Sequence, residues 1–192
     1  ALALRNSWLL RQVQRMADTD PLTGIANRRF FDSMLGRELA RARRSEIPLS
    51  LMMVDVDHFK AFNDEHGHLA GDLALKTTAR CLEKGCRNFD TVARYGGEEF
   101  AIILPECSSS EAHGIADRLR RSVSSLDIGA PITVSIGIAT FPLHGTDAHD
   151  LTRAADQALY ESKRAGRDRV TGFGEGLKLP ADVLAALREE LG

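Results

Sequence analysis

Residues 91–104 read Thr-Val-Ala-Arg-Tyr-Gly-Gly-Glu-Glu-Phe-Ala-Ile-Ile-Leu. Two β-favouring runs, Thr91–Tyr95 and Phe100–Leu104, flank the pair Gly96-Gly97. A two-residue Gly-Gly link between such runs predicts a hairpin, because glycine tolerates the positive φ of a type I′ turn. The two strands would then be antiparallel neighbours. Helical and strand patterns alternate elsewhere in the chain. A purely parallel, doubly wound sheet is therefore disfavoured, and an α+β fold with helices packed on one sheet is expected.

On the N-terminal side, residues 49–54 (LSLMMV) form a continuous apolar run that suits a strand buried on both faces. It ends in Asp55-Val56-Asp57. Pro48 separates it from a helix expected over 28–44, capped by Asn27, with Phe31, Met34, Leu35 and Leu39 on one face. A loop is expected over 58–68. A helix over 69–84 follows, with Leu69, Leu73, Leu75, Ala79 and Leu82 as its apolar candidates.

On the C-terminal side, Ala112, Ile115, Ala116, Leu119 and Val123 stripe a helix over 109–124. Ile132, Val134, Ile136 and Ile138 alternate as a strand. A helix over 148–164 and a short strand over 168–171 complete the pattern. Residues 1–17 read as a helix in which Leu2, Asn6, Leu9, Val13 and Met16 take alternating three- and four-residue steps, as in a coiled-coil stalk. A single helix packed on its own domain is the alternative. The tail over 180–191 reads as a small helix. The chain thus divides into a stalk (1–17), one domain (18–172) and a tail (173–192).

The 192 residues suffice for one good-sized domain, and a net charge of −2 gives no global field for nucleic acid. No nucleic-acid partner is expected. Cys81, Cys86 and Cys107 are odd in number and form no CxxC pair, which argues against a disulfide framework and for a reducing compartment. No apolar run nears the roughly 18–20 residues that span a bilayer, and no signal-peptide pattern opens the chain. A cytoplasmic location is expected. The absent initiator Met suggests a fragment whose sensor part lies upstream.

Asp55 and Asp57, two apart on a strand, share a face. Glu98 and Glu99 follow the Gly-Gly pair. If the two strands are neighbours, Asp55 and Glu98 converge at one sheet end. Crowded carboxylates repel unless a cation neutralises them, and oxygen ligands suit Mg²⁺. Neither a P-loop nor a GxGxxG occurs, so phosphate must be bound by other means. Lys60 lies within five residues of the acidic strand end. Lys163 and Arg167, four apart at a helix end, can face one ligand, although complementing the helix dipole is the plainer role for either. Asn63 and Asp72 flank a turn with Gly67 and Gly71. A carboxylate accepts from guanine N1–H and the exocyclic amine, an edge adenine lacks. His66 and His68 have no third soft ligand nearby and read as structural.

The motifs Asp20-Pro21-Leu22-Thr23-Gly24, Asn27-Arg28-Arg29, Asp55-Val56-Asp57-His58-Phe59-Lys60, Asn63-Asp64, Gly67-His68 and Gly71-Asp72 occur in order. Arg94-Tyr95-Gly96-Gly97-Glu98-Glu99-Phe100 then follows. Over residues 18–172 the chain resembles the GGDEF domain of bacterial diguanylate cyclases, with GGEEF as the signature. The resemblance implies a ferredoxin-like, palm nucleotidyl cyclase fold, with a mostly antiparallel central sheet flanked by helices. It implies that two GTP become cyclic di-GMP and two pyrophosphates in a homodimer, with Mg²⁺ or Mn²⁺, two per active site. By that match Asp55, the Val56 carbonyl and Glu98 are the metal ligands. Asn63 and Asp72 are the guanine readers, with His68 nearby. Phe59, Lys60, Lys163 and Arg167 meet the triphosphate. Glu98 or Glu99 accepts the 3′-hydroxyl proton.

Five residues separate the end of Arg87-Asn88-Phe89-Asp90 from Gly96. The resemblance makes Arg87 and Asp90 an RxxD inhibitory site for the cyclic di-GMP product, joined by Arg118. The plainer reading of RxxD is a solvated i,i+3 ion pair. Three rival functions are a silent GTP or cyclic di-GMP receptor, a cyclase of relaxed base choice and a structural dimerisation domain. Retention of Asp55, Glu98 and Glu99 weighs against the first, and Asp72 against the second. The third leaves the polar motifs unexplained.

Overall fold

The computed structural model describes residues 18–175. The stalk expected over 1–17 and the helix expected over 180–191 lie outside the described residues. The elements are β1 (Ala26–Asn27), α1 (Arg28–Ser45), β2 (Leu49–Val56), α2 (Phe59–His66), α3 (His68–Gly85) and β3 (Thr91–Arg94). They continue as β4 (Glu99–Pro105), α4 (Ser109–Ser124), β5 (Val134–Phe141), α5 (Ala148–Arg164) and β6 (Val170–Gly172).

The strands form one sheet in the order β1-β3-β4-β2-β5-β6. The four central strands are antiparallel, and the short edges β1 and β6 pair parallel to β3 and β5. The split βαβ topology of the centre is the ferredoxin-like arrangement expected. β2, buried at all eight positions, lies in the middle, as its unbroken apolar run predicts. Alternation along the strands sends one set of side chains to each face. Val54, Val56, Phe100 and Ile102 pack with α3 and α4 residues such as Leu82 and Leu119. Leu51, Met53, Ala101 and Ile103 pack with α1 and α5 through Phe31, Leu35 and Leu159.

Local signals set most boundaries. The Asn27 side chain accepts from Phe30 N and starts α1. Ser108 and Glu111 form a reciprocal capping box on α4, and Asp147 caps α5.

Three expectations need correction. The segment 58–68 is mostly helix α2, because Phe59 is buried and its ring stacks 6.5 Å from that of Phe62. The helix starts at His58 without a side-chain cap, so no sequence signal marks it. On α3, Leu69 and Leu73 are exposed, and the buried stripe runs through Gly71, Ala74, Leu75, Thr78, Ala79 and Leu82. The hairpin is real but is no type I′ turn: neither Gly96 nor Gly97 has positive φ. Its loop spans Tyr95–Glu98, with Tyr95 N and Gly96 N both donating to Glu99 O (2.8 and 3.2 Å). A Cβ at Gly96 would lie 2.4 Å from Glu99 Oε2, so a larger residue there would push the Glu99 carboxylate aside.

Candidate active site

Where β2 ends and the β3–β4 loop turns, a cleft of about 500 Å³ opens between the sheet end and helices α2 and α3. It is lined by Phe59, Lys60, Asn63, His68, Asp72 and Glu98, six of the residues expected from sequence, together with Arg94 and Gly97. Asn63 packs onto the α2–α3 junction against Gly71. A Cβ at Gly71 would fall 1.8 Å from Asn63 Oδ1, so only glycine admits this rotamer. That Oδ1 is buried with no hydrogen-bond partner. A buried acceptor in this state costs about 1–3 kcal/mol, and a ligand N–H would relieve it.

Asp55 and Glu99 are cross-strand partners on β2 and β4, and Val56 N donates to Glu98 O at 3.2 Å. Asp55 is 5% exposed. Burial raises its pKa most, Lys163 opposes the rise, and the charges of Glu99 and Asp57 add to it. Burial also raises Glu98, with Asp55 and Glu99 adding to the rise and Lys163 opposing it. Backbone pairing of Val56 with Glu98 brings the two acid-bearing segments to one end of the sheet. Lys163 Nζ, from the last turn of α5, lies 2.7 Å from Asp55 Oδ2.

The donor set of Asp55, Glu98 and the Val56 carbonyl is all oxygen, in a place where negative charge already draws in an ammonium group. It fits a hard divalent cation, which takes one or two carboxylates and completes its shell with phosphate and water. Among the described residues no three His, Cys, Asp or Glu side chains form a metal cage.

Arg167 is placed otherwise than its spacing suggested. α5 ends at Arg164, and Arg167 lies in the following loop at φ 63°. It is thus no i,i+4 helical neighbour of Lys163, and it does not line the cleft as it stands.

Arg94 and Asp20 were quoted within motifs but given no role. Arg94 donates twice to Gly97 O (2.6 and 3.1 Å) and, at 3.2 and 3.3 Å, to both carboxylate oxygens of Asp20. Asp20 also accepts from Thr23 N and Thr23 Oγ1. One guanidinium thereby straps the signature loop to the turn that precedes β1. The partners are 74 residues apart, and only the repeated charge types hinted at the pair.

At the far end of α3, about 25 Å along an 18-residue helix, stands the Arg87–Asp90 turn. It is not an ion pair. Arg87 N donates to Asp90 Oδ2 at 2.7 Å, Asp90 N donates back to Arg87 O, and the guanidinium lies 5.6 Å from the Phe89 ring. Asp90 Oδ1 is buried without a partner. Arg118, on α4, donates to Gly85 O beside this turn.

Comparison with known proteins agrees with the fold and motifs. The family described as "Diguanylate cyclase, GGDEF domain" matches residues 17–169. The chain belongs to this family. It is 39% identical to diguanylate cyclase A of Treponema denticola over 89% of the chain and 47% of that protein. It is 44% identical to diguanylate cyclase DgcP of Pseudomonas aeruginosa, over 84% of the chain and 25% of that protein. The GGDEF domain thus spans about half or less of these relatives' length. Among solved structures, the coiled coil and GGDEF domain of DgcB from Caulobacter crescentus, in complex with c-di-GMP, superposes with a TM-score of 0.83. The two are 38% identical, covering 88% of this chain and 93% of that one. The active GGEEF domain of a diguanylate cyclase from Vibrio cholerae gives a TM-score of 0.74 at 31% identity, covering 78% of this chain and 98% of that one. Among the described residues no helix of this GGDEF domain is long and apolar enough to cross a membrane.

Proposed function

We propose that this GGDEF domain condenses two GTP into cyclic di-GMP with release of two pyrophosphates, as a homodimer in which each copy holds one GTP. The observation that carries the reading is the shared cleft. The buried, unpartnered Asn63 Oδ1 and the Asp72 carboxylate stand at one side, with Glu98 at the acidic sheet end on the other. Asn63 and Asp72 read the guanine edge. Their polar complementarity rejects a base that leaves them unpaired, by roughly 10⁴-fold or more.

Lys60 and Lys163 offset phosphate charge, and Arg167 joins them from its loop. Asp55, Val56 O and Glu98 hold Mg²⁺ (or Mn²⁺), which when bound offsets charge on the reacting phosphate oxygens. Glu98 is better placed than Glu99 to take the 3′-hydroxyl proton. It lines the cleft, whereas Glu99 does not. Holding both substrates in line supplies much of the remaining acceleration. An active relative carrying the same GGEEF signature supports the Glu variant.

Product binds at Arg87, Asp90 and Arg118 and inhibits. The orphaned Asp90 Oδ1 supports this, since it can accept from one guanine edge while arginine donates to O6 and N7. The sequence spacing of Leu2, Asn6, Leu9, Val13 and Met16 fits a coiled-coil stalk for that homodimer. The substrate and three free cysteines point to the cytoplasm.

The test is incubation of the protein with GTP and Mg²⁺ beside Glu98→Ala, with nucleotides separated by chromatography. Cyclic di-GMP from the parent alone supports the reading. GTP binding without product at high protein concentration overturns it in favour of a receptor. Arg87→Ala is expected to relieve product inhibition; unchanged inhibition removes that site.

A further inference from the structure

Asp57 has been left without a role. It shares the α5-facing side of β2's end with Asp55, and it is 6% exposed. A buried carboxylate needs donors, and Asp57 has three. Ser135 Oγ donates to Oδ1 at 2.7 Å, and Thr133 Oγ1 donates to Oδ2 at 2.7 Å. The third donor is the backbone N–H of Asp168, 3.0 Å from Oδ2 and 111 residues away in sequence. With both oxygens engaged, the group is poorly placed to meet a ligand itself.

The third bond reaches the loop between α5 and β6. Arg167 and Asp168 there have φ of 63° and 42°, two consecutive non-glycine residues in the left-handed region. Such conformations persist only where the surroundings over-determine them. Arg167 N is held by Ser162 O, Arg169 O accepts from Ile136 N, and Arg120 pairs with the Asp168 side chain at 2.7 Å. The N–H of Asp168, between those fixed points, is held by Asp57. The two acids of Asp55-Val56-Asp57 therefore grip the cationic end of α5 twice. Asp55 pairs with Lys163, and Asp57 fastens the loop that presents Arg167.

We propose that Asp57 is a positioning residue for triphosphate recognition: its carboxylate anchors the backbone of the Arg167–Asp168 loop, and from that anchored backbone the Arg167 side chain, which lies outside the cleft lining here, swings to the phosphates of bound GTP. This rests on the nucleotide reading of the cleft given above. It makes a sharp distinction. The hydrogen bonds of Asp57 go to Thr133, Ser135 and the loop of Arg167, and none goes to a group assigned to guanine. Its loss should weaken binding only through the phosphates.

The experiment compares affinities for GMP and for 3′-deoxy-GTP, which keeps the triphosphate but cannot react, with Mg²⁺ present throughout. Four proteins are titrated by calorimetry: the parent, Asp57→Asn, Arg167→Ala and the double variant. Asp57→Asn is expected to lower 3′-deoxy-GTP affinity by about tenfold while GMP affinity stays within about twofold. The double variant should bind no more weakly than Arg167→Ala alone. Equal loss for both nucleotides, or losses that multiply in the double variant, would overturn the proposal. A parent that binds 3′-deoxy-GTP no better than GMP would instead sink the substrate reading.

A nucleotide-free readout separates the two further. Amide exchange at Asp168 should be slow in the parent and faster in Asp57→Asn; equal protection defeats the lock. Should Asp57→Asn fail to fold, Thr133→Val removes one donor to the same carboxylate and keeps its charge. It should give the same selective loss at smaller amplitude, and a loss shared by GMP again refutes the idea.

Discussion

Gly71→Ala separates base recognition from stability. Gly71 sits inside α3, where alanine is favoured over glycine by about 1 kcal/mol. The added Cβ would lie 1.8 Å from Asn63 Oδ1 and 2.9 Å from its Cγ, with Phe59 Cζ at 3.2 Å. The amide must retreat by roughly 1.5 Å before ordinary contact is restored. Little resists that movement, because Asn63 Oδ1 has no hydrogen bond to lose. The clash and the helix-propensity gain should nearly offset each other, so unfolding free energy is predicted to change by less than about 1 kcal/mol. Binding should respond quite differently. A displaced amide leaves a guanine donor unmatched, at about 1–3 kcal/mol, or roughly 5- to 150-fold in Kd. Calorimetry with GMP and GTP, beside denaturant melts, measures both quantities. Both nucleotides should weaken alike, since the base is the part affected. Unchanged affinity in a folded variant would refute the role of Asn63 as a base reader.

Four further outcomes are expected. Gly137→Ala should cost more than about 3 kcal/mol or prevent folding, because its Cβ would lie 2.1 Å from Leu159 N and 2.3 Å from Ala155 O, both α5 backbone. Gly36→Ala, in open space on α1, should stabilise by up to about 1 kcal/mol in the same melts. Arg94→Ala should cut turnover at least about tenfold and destabilise by about 1–3 kcal/mol, and Arg94→Lys should not restore turnover, since one ammonium cannot bridge Gly97 O and both Asp20 oxygens; full activity in Arg94→Lys would remove the strap from the mechanism. Burial holds His144 below its usual pKa, and its Nδ1 accepts from Thr140 N, which requires the neutral ring. The unfolded chain then takes up the proton first as pH falls through about 6.5, so stability should decline from pH 7.5 to 5.5. His144→Gln should flatten that slope in urea melts, and an unaltered slope would exclude His144 as its source.

The helices over 28–45, 109–124 and 148–164 were legible because side-chain caps and apolar stripes are local signals. β2 was legible because a strand buried on both faces leaves an unbroken apolar run. α2 was not, because eight residues without a cap form a helix only through the packing of Phe59 and Phe62. Two-residue β1 has no period to detect. At the site, six residues that line the cleft, Phe59, Lys60, Asn63, His68, Asp72 and Glu98, were legible because their types repeat an ordered set of motifs, whereas Arg94 carried no such signal of a role. The Arg94–Asp20 strap and the Asp57–Asp168 bond join residues 74 and 111 apart, and no periodicity reports such pairs. Arg167 lies three residues beyond the end of α5, so its four-residue spacing from Lys163 does not by itself report a shared helical face.

The edges of the sheet are unusually slight. β1 has two residues and β6 three, and each runs parallel to its inner neighbour. Short edges offer few free N–H and C=O groups to a visiting strand. Among the described residues, two copies therefore have little backbone with which to merge into one continuous sheet. They are left to approach through helix surfaces and loops, contacts that can be made and broken without unzipping either fold. In the homodimer proposed above, an assembly of that kind would bring two clefts opposite one another for a single condensation and then let them part.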